Sequence, residues 1–148
     1  MADIAAFPAL HDILVSGNNI QSHTTGEVVK AGQVVGFDIS ETTEIIKVMK
    51  AVAGENAIGV VLYDAILGDK VAVAQAGCVV NVVNADDAAD IGAGAWLVQN
   101  ANAVGGTVSA YPGTGAAQYV GQSMAFNTGG AAGVASKMLV MPHEEVVV

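Results

Sequence analysis

The chain has 148 residues, 53% of them apolar, with only 13% charged, 5% aromatic and a net charge of −9. That length fits one domain with a real core, and the apolar content excludes intrinsic disorder. Five basic residues cannot neutralise many phosphates, which argues against nucleic acid and anionic membrane as partners.

Residues 1–20 read as an N-terminal arm. Ile4, Phe7, Leu10, Ile13 and Leu14 are apolar at near-helical spacing, but Pro8 and Gly17 hold any helix to two turns. An extended arm lying on its own core, or on a neighbouring subunit, is the other reading. Met1-Ala2-Asp3-Ile4 has no basic n-region, so no secretory signal is expected and synthesis is expected in the cytoplasm.

Residues 21–148 read as a single β-rich domain. His23 opens the strand-forming region, and Thr24-Thr25-Gly26 reads as a turn before a short strand Glu27-Val28-Val29. Lys30-Ala31-Gly32 turns into a strand from Gln33 to Phe37, with a polar link from Asp38 to Thr43 and a further strand from Glu44 to Val52. The run Ile58-Gly59-Val60-Val61-Leu62 has the look of a strand buried on both faces. Leu67-Gly68-Asp69 turns into Lys70 to Ala74, and Ala76-Gly77 leads to Cys78 through Val83. No apolar stretch reaches the length of a membrane span, because Asp64 and Asp69 interrupt the best one.

Asp86 to Ile91 is the one helical turn expected inside the domain, with Asn84 or Asp86 as its cap. Residues 101–118 and 127–136, rich in Ala, Gly, Asn and Thr, read as long surface loops. The last strand runs from Lys137 to Met141 and ends at Pro142, leaving a tail that contains His143. Short strands broken by Gly and Asp predict an all-β fold, a small barrel or sandwich with glycine-rich loops.

The pattern also suggests two related halves. Ala31-Gly32 before Val34-Val35 recurs 62 positions later as Ala93-Gly94 before Trp96-Leu97. At the same offset Val29 matches Ile91, Ile45-Ile46 matches Thr107-Val108, and Ile58-Gly59 matches Val120-Gly121.

Residues for chemistry are sparse. A triad needs Ser or Cys, His and a carboxylate in one pocket, whereas His11, His23 and His143 fall in the arm, the first turn and the tail. Cys78, the single cysteine, sits in an apolar run and reads as a buried small hydrophobe. Asn84, Asp86, Asp87 and Asp90 lack the alternation and glycine of a calcium loop, and Pro112 to Ala117 lacks the Gly-Lys-Ser/Thr of a phosphate loop. No catalytic residue, metal or cofactor is expected.

Two family resemblances remain. Gly26 to Val35, with Val48-Met49-Lys50-Ala51 and Gly68-Asp69-Lys70-Val71, resembles the biotinyl or lipoyl carrier domain, which implies a cofactor on Lys50. Against it, Ala51 stands where that pattern has Met or Leu, and Lys50 lies in a strand-like run. Residues 24–83 more closely resemble the capsid decoration, or cement, proteins of tailed bacteriophages. The likeness rests on the Ala31-Gly32 turn with Val34-Val35, Ala57 to Ala65, Gly68 to Val73, and Ala76-Gly77-Cys78-Val79. It implies a non-enzymatic virion protein on the outer capsid surface, a homotrimer that binds the major capsid protein and stabilises the head. Phe7, Leu10 and Leu14, with Met141 and His143, are the candidate capsid or subunit contacts. A head-fibre or tail component shares the same composition and is the alternative.

Overall fold

The computed structural model describes residues 13–40, 45–51, 56–83, 91–99, 106–111, 117–124 and 135–145. Its named elements are all strands. They are β1 (Leu14–Ser16), β2 (Ile20–Thr25), β3 (Val34–Phe37), β4 (Lys47–Lys50), β5 (Ala57–Val61) and β6 (Lys70–Ala74). Then come β7 (Val79–Val83), β8 (Trp96–Gln99), β9 (Val108–Ala110), β10 (Ala117–Ser123) and β11 (Ala135–Glu145). Strands β2-β4-β3-β5-β6 close into a barrel, and β1-β7-β11-β10-β8-β9 form a six-stranded sheet.

The two halves are the same motif built twice. Strand order β2-β6-β5-β3-β4 in the first is repeated as β7-β11-β10-β8-β9 in the second. Val34, Val35 and Gly36 lie opposite Val60, Gly59 and Ala57. Trp96, Leu97 and Val98, each 62 positions on, lie opposite Gln122, Gly121 and Tyr119. Both ladders skip one residue at the same place, Ile58 and Val120. Gly32 N–H donates to the Val61 carbonyl at 2.9 Å, and Gly94 N–H to Ser123 at 2.8 Å. Both glycines hold a left-handed φ, 87° and 85°, which L side chains adopt at a cost. One sequence match moves. Val48 lies opposite Phe37 as Val108 lies opposite Gln99, so Val108 corresponds to Val48 and not to Ile46.

Only the first unit closes. Its β2 pairs in parallel with β4 through Thr24–Lys47 and Thr25–Val48; among the described residues β7 and β9 make no such pair, and β7 takes β1 instead. The packing explains how an open second unit is stable. Val29, Val35, Val48, Val61, Val71 and Val73 fill the barrel interior. The barrel's outer wall, with Val34, Ala57, Val60 and Leu62, joins Leu97, Val120 and Met138 from the inner side of the sheet in one buried cluster. The first unit therefore covers the open side of the second. This is also why Ile58 to Leu62 lacks a polar face: alternate residues point into the barrel and into the second unit.

Several expected boundaries shift. His23-Thr24-Thr25 is strand, not turn; Thr25 is fully buried and its hydroxyl donates to the Ile66 carbonyl at 2.5 Å. Glu27 to Val29 is no strand, since Val29 makes only an isolated bridge with Ala65. Of the strand expected from Glu44 to Val52, the described residues form β4, with Ile45, Ile46 and Ala51 outside it. Residues 101–118 are not one loop, because β9 and the start of β10 fall within them, placed by pairing with β8 and β11 that local composition does not reveal. Pro142 does not end β11, so His143 is in a strand and not in a tail. Tyr119 faces His143 and Gly121 faces Val140, so Met141 and Pro142 together oppose Val120. Such a bulge needs no ladder N–H from the proline. Of the helical turn expected from Asp86 to Ile91, only Ile91 is among the described residues, fully buried in the core.

Candidate contact surfaces

The six-stranded sheet has two unlike faces. Its inner face is sealed by the barrel. Its outer face carries Trp96, Val98, Tyr119 and His143, which strand alternation and cross-strand register place on one side. Tyr111, whose N–H donates to the Trp96 carbonyl at 2.9 Å, continues the row beyond β9. Ring centroids are 5.3 Å apart for Trp96–Tyr119 and for Tyr111–Tyr119, 5.0 Å for Trp96–His143 and 4.6 Å for Tyr119–His143. Tyr119 is buried under its neighbours, whereas Trp96 and Tyr111 are half-buried and His143 is exposed. His143 Nδ1 lies 2.8 Å from the Met141 carbonyl, which places the ring proton on Nδ1.

Around the rings the face mixes apolar residues with the uncharged polar Gln122, opposite Trp96, Ser109, opposite Val98, and Asn81, opposite Lys137. Met124 is 50% and Met141 39% exposed, and Val79 and Leu139 are half-buried opposite one another. Lys137 is exposed beside them. A solvated antiparallel sheet ordinarily alternates polar residues outward. Tyr, Trp and Met with little charge is instead the composition of a protein contact.

A second apolar surface lies at one end of the barrel. Ile39, just past β3, is 95% exposed, and Phe37, Ile45 and Ile46 are exposed with it. Phe37 meets the edge of the half-buried His23 ring at 5.6 Å. A groove of about 480 Å³ beside this knob is lined by Phe37, Ile39, Met49, Lys50, Asn56 and Ile58.

Of the contact residues expected from sequence, Phe7 and Leu10 lie outside the described residues. Leu14 pairs with Val80 in β7 of its own chain and packs, half-buried, on the core. Met141 and His143 come together on the outer sheet face. Lys50 is opposite Val35 within the barrel, not at a hairpin tip, and its Nζ lies 3.1 Å from Glu27. Sequence reasoning missed Trp96, Tyr111 and Tyr119. The signal was available: the only Trp and two of the three Tyr fall within 96–119 of a chain with 5% aromatics. Among the described residues no group of three His, Cys, Asp or Glu side chains is placed to hold a metal, and no helix is long and apolar enough to cross a membrane.

No known protein family and no curated protein matches the sequence. Among solved structures, the chain is similar to the crystal structure of the head fiber gp8.5 N base in bacteriophage phi29. The TM-score is 0.56 over 82% of this chain and 92% of that one, at 14% identity. At that identity the likeness is one of fold alone.

Proposed function

We propose that this chain is a structural protein of a tailed-phage head, an external fitting of the base-of-fibre kind that works by binding and not by catalysis. The observation that carries the reading is the fold shared with the phi29 head fiber base along most of both chains. An outer sheet face with the composition of a protein contact agrees with it. The partner on this reading is the major capsid protein, and the location is the outside of the head. Residues 1–12, with Phe7 and Leu10, are the proposed capsid anchor.

The test is co-sedimentation of the purified protein with heads that lack it, followed by electron microscopy of the decorated particles. Binding at regular head sites supports the reading, with projecting density marking a fibre base. A flat cap bridging capsid subunits, with heads that retain DNA at higher temperature, would assign the finer role of a cement protein. No binding to heads, or binding to tails alone, overturns the proposal. Deleting residues 1–12 should remove head binding while the β-domain stays folded; unchanged occupancy would refute the anchor.

A further inference from the structure

We propose that the seam between the two units, where the aromatic sheet face meets β5, binds a neutral carbohydrate. A pocket of about 230 Å³ opens there, lined by Asn56 and Ala57 from the first unit and by Gln118, Tyr119, Pro142 and His143 from the second. Strands fix its walls. Tyr119 and His143 are cross-strand partners in β10 and β11, and the bulge carries Pro142 into place beside them. Asn56 is exposed, but its backbone is held, with its carbonyl so near Gly36 that a Cβ there would overlap it. The pocket is smaller than the about 300–1,000 Å³ of drug-sized sites. It therefore takes one small ring, with the rest of a glycan chain outside.

The chemistry of the lining selects the ligand. Among the described residues that line the pocket none is Lys, Asp or Glu. An anion finds no countercharge there, and a cation no carboxylate. The polar groups are uncharged. Gln118 Oε1 is buried without a hydrogen-bond partner. His143 holds its ring proton on Nδ1, toward the Met141 carbonyl, which leaves the Nε2 lone pair as an acceptor. The Asn56 amide offers donors and an acceptor. Such a set matches hydroxyl groups, which both donate and accept. The rings add a platform, because the C–H face of a pyranose is weakly positive and the face of an aromatic ring negative. The exposed His143 ring lies 5.0 Å from Trp96 and 4.6 Å from the buried Tyr119. Gln122 and Ser109 continue the uncharged polar surface on the outer sheet face. Met124, bonded through its N–H to the Lys137 carbonyl, lies at the other end of β10, so a protein contact there leaves the seam open. Sugar binding at the seam needs no phage head and stands or falls apart from the proposed function.

Glycan binding by the purified chain is the test. The labelled protein is applied to an array of immobilised oligosaccharides, neutral ones of glucose, galactose and N-acetylglucosamine beside sulfated and uronic-acid chains. Binding to at least one neutral oligosaccharide is expected. The same oligosaccharide in solution should then change the emission of Trp96, the only tryptophan. His143→Ala removes a ring and Asn56→Ala an amide, both at exposed positions, and circular dichroism checks that the variants fold. Each should weaken binding at least about tenfold, whereas Ile66→Ser, exposed before β6, should leave it unchanged. Binding to no neutral glycan, binding to anionic chains alone, or unchanged affinity in both seam variants overturns the inference. Loss of head binding in the seam variants, with no sugar bound by the wild type, would also overturn it and give the seam to the capsid.

Discussion

Replacing Gly121 by Ala tests the repeat where its two strands approach most closely. A Cβ at Gly121 would overlap the Leu139 carbonyl oxygen and lie 2.8 Å from Met138 Cγ. The methionine can swing away, but the carbonyl belongs to β11 and cannot. To make room, β10 and β11 must part by roughly 1 Å in an interior packed to crystal density. Overpacking of this kind costs about 1–3 kcal/mol, and weakening one or two ladder hydrogen bonds adds about 1 kcal/mol each. The sum, about 3 kcal/mol, corresponds to a fall of about 10 °C in Tm for a chain of this length. Gly59→Ala should behave alike, since its Cβ would overlap the Ala74 carbonyl oxygen and lie 2.9 Å from Val73 Cγ1. Gly92→Ala is the control: nothing lies within 4 Å and its φ is ordinary. Thermal unfolding followed by far-UV circular dichroism and by Trp96 emission gives the three shifts. If Gly121→Ala and Gly59→Ala melt within about 2 °C of Gly92→Ala, the close approach is not what these glycines are for.

Thr25→Val keeps the side-chain shape but leaves the Ile66 carbonyl without its hydroxyl donor; urea unfolding should show a loss of about 1–2 kcal/mol. Breaking the Glu27–Lys50 pair with Lys50→Met should cost under about 1 kcal/mol by the same assay, because both side chains remain partly in water. Mass spectrometry of the intact chain should give the unmodified 14.8 kDa, and added mass on Lys50 would revive the carrier-domain reading. Cys78 is fully buried, so a thiol reagent should label it only at the rate of unfolding; fast labelling of the folded protein would refute that burial.

Much of the fold was legible because strand and turn signals are local. Gly68 and Gly77 take left-handed φ of 89° and 94° in the turns that the sequence marked, and β6 spans Lys70 to Ala74 as expected. The 62-residue offset was visible too, because the pair β3 and β5 and the pair β8 and β10 kept their spacing. It failed at Ile45-Ile46, where the link before β9 is two residues shorter. The contact surfaces were half legible. Met141 and His143 belong to the outer face, but nothing local tells that Trp96 and Tyr119 share it, since that depends on which residue lies opposite Val98.

Composition and periodicity alone determined that the chain is all β and rich in buried valine. Those properties follow from side-chain chemistry and from the two-residue period of a strand. Tertiary structure decided that one repeat closes into a barrel and the other does not. It also carried β11 through Pro142 and turned one sheet face outward with its aromatic row intact. Each outcome rests on pairing between residues distant in sequence, where a shift of one residue would exchange the two faces of a strand.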